Sequence, residues 1–210
     1  MDVTERLGAI VDAYRERWSE CGTVYDVGSR DGDDAVWIAD QLDATNVVCF
    51  EAIPEAAERI RRKHRGVKVV EGAVSDITGV TEFTVIESDR ADHAGSSSII
   101  KFQDFGSPTR VIQVGVDRME NLIKKHNLPV PDVVKVDVEG FSWECLNGFG
   151  DYLERVRLFH VETETFNRHH GHKDSRVVRA FMESCGFTCV DVSTAEWGSS
   201  IEDQVWVRGF

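Results

Sequence analysis

The order of apolar segments along the chain is the feature that most limits its fold. Three short β-rich runs, TVYDVG, NVVCFEA and VKVVEGAVSD, follow one another between residues 23 and 76. Two helical segments, DDAVWIADQL and PEAAERIRRKH, separate them, and the second begins with proline, which favours the first turn of a helix. Strands that alternate with helices are typical of a parallel sheet with crossover helices. The pattern therefore predicts an α/β protein.

The remaining segments extend this pattern, with one interruption. Helices are expected over residues 3–18, at SWECLNGF and at DSRVVRAFMESCG, and strands at PDVVKVDVEG, VRLFHVETE, FTCVDV and DQVWVRGF. The interruption begins with GVTEFTVIE, which alternates like an antiparallel or edge strand. We therefore expect one domain over residues 1–210, with a leading helix over 1–20 and a hairpin or lid insertion over 77–116. The predicted fold class is α/β, with a Rossmann-like, mostly parallel seven-stranded sheet and helices on both faces.

Composition excludes several classes of partner. The formal net charge of −13 disfavours nucleic acid and anionic membrane, because a protein that neutralises phosphates needs a basic surface. No apolar stretch approaches the roughly 18–20 residues that span a bilayer. The amino terminus lacks the basic flank and apolar run of a signal peptide. We therefore expect a cytoplasmic protein with neither a membrane nor a nucleic acid as its partner.

Carboxylates stand at the predicted carboxyl ends of successive strands. Asp26 ends the first strand, Glu51 the second, and Asp137 with Glu139 the fourth. In open parallel sheets, ligands bind at these ends. The spacing from Gly28 to Gly32 is not the G-x-G-x-x-G of nicotinamide cofactors, and the aspartates around the following helix start are a poor match for a pyrophosphate. A nucleotide-binding oxidoreductase is therefore disfavoured and stays as the alternative.

S-adenosylmethionine suits such a site, because it carries a sulfonium, an α-amino group and a ribose diol but no phosphate. Glu51 can accept hydrogen bonds from both ribose hydroxyls, while Gly28 and Gly32 let the backbone approach the amino acid end. Asp26 would lie under the glycine turn, order the loop and favour the cationic part of the cofactor. Each feature also has a structural explanation, since Asp26 could cap a turn, the glycines could be ordinary turn residues, and Glu51 could be a solvated strand end.

The segment VVKVDVEGFSWECLNG places charges in a central strand. Lys135, Asp137 and Glu139 alternate with valines and therefore share one face. Parallel strands covered on both faces are usually apolar, and burying an unpaired ion costs several kcal/mol. These charges must therefore pair, reach a cleft, or both. A functional site at the strand end is predicted, and a purely structural pair of Lys135 with Asp137 is the alternative.

The chain resembles the FkbM-type methyltransferases, a branch of the class I S-adenosylmethionine-dependent enzymes, over roughly residues 22–190. The segments VYDVGSRDGDDAVWIA, VVCFEAIPE, VVEGAVSDITGVTEF and VVKVDVEGFSWECLNG carry the resemblance. It implies a class I methyltransferase fold and methyl transfer to oxygen on sugars, polyketides or other small molecules. The chain departs from the family at Arg30 and Asp31, where related loops usually have a small residue.

The resemblance also implies roles for individual residues. Asp26, Gly28 and Gly32 would bind the amino acid end of the cofactor, Glu51 the ribose, and residues 73–76 the adenine region. Asp137 would lie close to the methyl donor and the acceptor hydroxyl. The predicted cofactor-binding residues are Asp26, Gly28, Ser29, Gly32, Glu51, Ala52, Ala73, Val74, Asp76 and Asp137.

A general base for the acceptor hydroxyl is expected near the methyl donor. The predicted catalytic residues are Asp137, Lys135, Glu139, His169 and His170. The two histidines belong to FHVETETFNRHHGH, which also contains His160, Glu162, Glu164 and His172 and could instead be a solvated polar loop. Asp137 with Glu162 could hold magnesium and the histidines zinc, but neither spacing is diagnostic, so no metal is assigned.

Ser96, Ser97 and Ser98, with Asp92 and His93, could line the acceptor pocket, form a lid or be an ordinary flexible loop. The expected function is O-methylation of a hydroxyl group on a small-molecule acceptor, such as a sugar, a glycan precursor or a secondary metabolite. A catalytically silent domain that binds the cofactor or a partner is a further alternative.

Overall fold

The structure, a computed structural model, describes residues 3–86, 97–99, 109–165, 173–194 and 200–209. Within these ranges the strands are β1 (Thr23–Val27), β2 (Asn46–Glu51), β3 (Lys68–Glu71), β4 (Ala73–Val74), β5 (Gly79–Ile86), β6 (Thr109–Asp117), β7 (Val133–Val136), β8 (Leu158–Glu164), β9 (Phe187–Thr194) and β10 (Ile201–Arg208). The helices are α1 (Val3–Arg15), α2 (Asp33–Leu42), α3 (Pro54–Lys63), α4 (Met119–His126), α5 (Ser142–Asn147) and α6 (Ser175–Ser184), and a 3-10 helix spans Gly150–Arg155.

Seven strands form the main sheet in the order β3-β2-β1-β7-β8-β10-β9. The pairs from β3 to β8 are parallel, and β10 runs antiparallel to both β8 and β9. The order reverses direction between β1 and β7, which places their carboxyl ends side by side at the point where ligands bind in such sheets. The predicted mostly parallel seven-stranded sheet is confirmed.

Helices cover both faces of the main sheet, as predicted. Leu7 of α1 and Ile38 of α2 pack with Val24 and Val133 on one face, where α3 also lies. Residues of α4, α5 and α6 pack with Tyr25 and other side chains on the opposite face. Side chains alternate along a strand, so Asp26 must lie on the same face as Val24. The face covered by α1 and α2 is therefore apolar near the start of β1, at Val24, and charged near its end, at Asp26.

A second, three-stranded sheet in the order β4-β6-β5 lies beside the carboxyl ends of the main sheet. Its strands β5 and β6 pair antiparallel over their whole length. Phe83 and Val114 of this hairpin pack against Ala52 and Ile53, which follow β2. The hairpin is thereby held over the end of β2, where a ligand of the main sheet would lie.

The helices in the described ranges lack the combination of length and apolar character that crossing a membrane requires. The cytoplasmic location expected from the sequence stays a prediction.

Replacing Gly148 by alanine should destabilise the fold, because the end of α5 approaches the backbone of Ser75 closely. An added Cβ would lie 2.0 Å from the carbonyl oxygen of Ser75, whose own backbone nitrogen is bound to the oxygen of Asp117 at 3.0 Å. We expect a loss of about 3 kcal/mol in the free energy of unfolding, measured in urea. Gly8→Ala is the control, because Gly8 lies in the middle of α1 and an added Cβ would have no atom within 4 Å. This variant should be more stable than the wild type by about 1 kcal/mol. An unchanged stability of Gly148→Ala would contradict this packing.

Candidate active site

The loop after β1 is fixed by its contact with β7. Gly28 has a left-handed backbone, with a φ of +84°, and an added Cβ would lie 1.8 Å from the carbonyl oxygen of Asp137. The backbone nitrogen of Asp137 donates to the oxygen of Val27 at 2.9 Å, and that of Gly28 donates to the oxygen of Phe50 at 3.0 Å. Glycine is therefore required at position 28 by both conformation and space. This loop joins the ends of β1, β2 and β7.

Glu51, at the end of β2, is held by backbone donors. One carboxylate oxygen accepts from the nitrogen of Arg30 at 2.8 Å, and the other accepts from the nitrogen of Ile53 at 2.8 Å. The residue is only 6% exposed, and this burial raises the pKa of Glu51 against the opposing effect of the two donors. Each carboxylate oxygen has a second lone pair that can accept from a ligand. Glu51 is thus a rigid acceptor at the edge of the sheet.

The ammonium group of Lys135 lies among three carboxylates. Its nitrogen is 2.9 Å from an oxygen of Asp137, 3.4 Å from Asp34 and 3.8 Å from Asp26. Burial alone would lower the pKa of Lys135, but the carboxylates outweigh it and raise this pKa. Burial raises the pKa of Asp26 to about 6, although Lys135 opposes the shift. Lys135 pairs with Asp137, and Asp137 also lines a cleft, so the functional site at this strand end stays a prediction.

A second group of carboxylates lies next to this one, at the ends of β7 and β8. Oxygens of Asp137, Glu139 and Glu162 all lie within 4.8 Å of one another. Burial, together with the charges of these neighbours, raises the pKa of Glu162 well above its usual range. The repulsion can be relieved by a proton on Glu162 or by a hard divalent cation, which prefers such oxygen ligands. The cluster can therefore store a proton beside the cleft.

The cleft occupies about 640 Å³ between the end of the main sheet and the hairpin, within the range of about 300–1,000 Å³ typical of small-molecule sites. Gly28, Glu51 and Asp137 belong to its floor. The roof is formed by residues of the hairpin, such as Phe83 and Val85, together with Ser97 and Ile99. The site is thus apolar above and polar below, which suits a ligand that has a flat apolar part and several polar groups.

The structure brings together most, but not all, of the residues singled out in the sequence. The predicted cofactor residues that line the cleft are Gly28, Glu51, Ala52, Ala73, Val74 and Asp137. Lys135 lies beneath the cleft, and Glu139 lies beside it through its contact with Asp137. His169 and His170 lie outside the described residues, as do His172, Asp92, His93 and Ser96.

Four predicted cofactor residues lie outside the lining of the cleft. Asp26 is buried beside Lys135, and the other three, Ser29, Gly32 and Asp76, serve the surrounding structure. Ser29 is buried, and its hydroxyl donates to the backbone oxygen of Asp26 at 2.7 Å. Gly32 immediately precedes α2 and lies against α3. The carboxylate of Asp76 accepts from the side-chain amide of Asn147 at 3.3 Å, at the end of α5. A cofactor role for these three residues would be indirect.

Several residues that line the cleft were not predicted from the sequence. Arg30, Arg59 and Arg110 line the cleft, as do hairpin residues such as Phe83. Arg30 has a left-handed backbone, with a φ of +54°, which residues other than glycine seldom adopt. The position of Arg30 between Gly28 and Gly32 was the one feature of the sequence that could have indicated its place in the cleft. Arg59 and Arg110 belong to surface elements whose charges gave no indication of a site.

Comparison with known proteins shows which family and fold the chain resembles. The family model described as the methyltransferase FkbM domain matches residues 26–189. No curated protein matches the sequence. A crystal structure of a methyltransferase FkbM from Methylobacillus flagellatus KT is similar over 90% of this chain, with a TM-score of 0.59 and 11% identity. The chain spans 44% of the length of that protein.

Two further solved structures share the fold. A magnesium protoporphyrin IX methyltransferase from Synechocystis PCC 6803, with bound S-adenosylmethionine, has a TM-score of 0.55 and 10% identity over 98% of this chain and 79% of its own. The tRNA methyltransferase TrmK from B. subtilis has a TM-score of 0.54 and 12% identity over 98% of this chain and 66% of its own. At these identities the likeness shows the fold alone.

Asp26→Asn should flatten the pH dependence of stability between pH 4 and 6. The pKa of Asp26 rises from 3.8 to about 6 on folding, so its contribution to stability is complete below pH 4 and is lost as the pH rises through 6. The difference is on the order of 3 kcal/mol. Urea unfolding at several pH values would measure it, and identical slopes in the variant and the wild type would contradict the assignment.

Proposed function

The chain belongs to the FkbM family of methyltransferases, and on this premise we propose that it transfers the methyl group of S-adenosylmethionine to an oxygen of a small-molecule acceptor. The observation that carries the proposal is the convergence of Glu51, Gly28 and Asp137 on one cleft from three neighbouring strands. A ribose on Glu51 and an amino acid end at Gly28 would direct the sulfonium toward the carboxylates of β7 and β8. The net charge of −13 supports a small acceptor rather than a nucleic acid.

The proposed reaction is an in-line displacement. The acceptor oxygen forms a bond to the methyl carbon while the bond from that carbon to sulfur breaks, which leaves S-adenosylhomocysteine. Holding the three atoms collinear supplies most of the acceleration, up to about 7–11 kcal/mol in well-oriented cases. The hydroxyl proton passes to Asp137, which lines the cleft and whose carboxylate lies in one cluster with Glu139 and Glu162. Lys135 keeps Asp137 in place through their 2.9 Å ion pair.

Glu51→Gln should weaken the binding of S-adenosylhomocysteine, because one of the two carboxylate acceptors at the ribose is lost. We expect a loss of about 1.5–3 kcal/mol in binding free energy, measured by calorimetry. Glu71→Gln is a matched control, since Glu71 pairs with Glu51 in register on β3 but has an exposed side chain. A dissociation constant that is the same in Glu51→Gln and the wild type would remove Glu51 from the site.

Asp137→Asn should leave the fold and the binding of S-adenosylhomocysteine intact but lower turnover by about 10²- to 10⁴-fold, the usual contribution of a positioned base. Formation of S-adenosylhomocysteine would be followed over a panel of hydroxylated acceptors, with amines and a tRNA included. Normal turnover in the variant would move the chemistry elsewhere, to the segment that contains His169 and His170. Binding of the cofactor without turnover on any acceptor would favour a silent domain, and methylation of amines or tRNA alone would refute the oxygen acceptor.

A further inference from the structure

Three arginines at the mouth of the cleft have no role in the proposed chemistry. Arg30 follows β1, Arg59 lies on α3 and Arg110 lies near the start of β6, and all three line the same cavity. The side chain of Arg110 is 37% exposed, and Arg30 and Arg59 are exposed. Glu51, by contrast, is only 6% exposed on the floor. The cationic groups are therefore at the opening of the cleft and the carboxylates are deeper.

The carboxylates of the cleft offset part of this positive charge, because Glu51 and Glu55 both interact electrostatically with Arg59. Asp137 pairs with Lys135 at 2.9 Å, and Glu51 accepts from two backbone nitrogens. Glu55 pairs with Arg110 at 3.1 Å. In the part of the chain that the structure describes, the guanidinium groups of Arg30 and Arg59 make no hydrogen bond and no ion pair within 4 Å.

The first turn of α3 adds to the positive field at the same place. Ile53, Glu55 and Ala56, at the start of this helix, line the cleft beside Arg59. The amino-terminal end of a helix carries a partial positive charge that favours anions within the first turn. Glu55 lies in the same turn and offsets part of this field. The guanidinium groups of Arg30 and Arg59 at the mouth, which form no ion pair with the described residues, therefore carry the argument for an anion there.

We propose that the acceptor carries a phosphate group that binds Arg30, Arg59 and Arg110 while its hydroxyl reaches the Asp137 end of the cleft. The planar guanidinium group matches the geometry of phosphate oxygens through paired N–H donors. S-adenosylmethionine has no phosphate, so this group belongs to the acceptor. The substrate class is a small phosphorylated hydroxyl compound, and this assignment rests on the proposed methyl transfer.

The test uses the full chain saturated with S-adenosylhomocysteine and titrated with inorganic pyrophosphate in a calorimeter. Low ionic strength is needed, because salt screens exposed charges. We expect pyrophosphate to bind, and Arg59→Gln and Arg30→Gln each to weaken it by about tenfold, as for the loss of one charge-assisted hydrogen bond. Arg62→Gln is the matched control, because Arg62 lies on the same helix but its side chain is 72% exposed and pairs with Glu58. This control should leave pyrophosphate binding unchanged.

Three results would overturn the inference and leave the proposed function intact. They are an absence of pyrophosphate binding, equal weakening by Arg62→Gln, and a parallel loss of affinity for S-adenosylhomocysteine in the Arg30 and Arg59 variants. The last result would assign the arginines to the carboxylate of the cofactor. If S-adenosylhomocysteine fails to bind the wild-type chain, the inference and the proposed function fall together, so the two failures are distinguishable.

Discussion

The ammonium group of Lys135 lies within 4 Å of carboxylates from β1, α2 and β7, and the candidate site depends on this arrangement. Removing a charge from water costs several kcal/mol, which only well-placed partners repay. Replacing the group by apolar side chains of similar volume is often neutral or stabilising in proteins. Stability alone therefore gives little reason to keep four charges here. A function at the strand ends, which needs a fixed carboxylate at Asp137, explains them better.

The surroundings of this group give the cleft two different ends. The carboxylates of Glu51 and Asp137 lie on the floor, where a cationic methyl donor is favoured. Arginines surround the mouth, where an anion is favoured. The hairpin of β5 and β6 covers both ends, and its ion pair from Arg110 to Glu55 ties it to α3. The fold thus separates two opposite charges within one cavity, and a ligand pair of cationic donor and anionic acceptor matches that separation.

Much of this could be predicted from the sequence, because the carboxyl ends of parallel strands meet at one edge. Once the apolar runs were recognised as parallel strands, Glu51 and Asp137 were expected at the same edge of the sheet, although the order of the strands could not be predicted. The contact of Lys135 with Asp34 could not be predicted, because it depends on the register of β1 with β7 and on where α2 begins. Asp76 follows β4 and accepts from Asn147 of α5, a contact that its place in the sequence did not predict, and its role near the adenine stays a prediction. The roof of the cleft could not be predicted either, because it depends on the pairing of β5 with β6, which lie far apart in the chain.

The most direct test is a crystal structure of the full chain with S-adenosylhomocysteine. We predict that the ribose hydroxyls lie on Glu51, that the amino acid end lies at the loop of Gly28, and that the sulfur faces Asp137. A product bound outside this cleft, or in it with the ribose away from Glu51, would contradict the claim that these strand ends form one methyl-donor site.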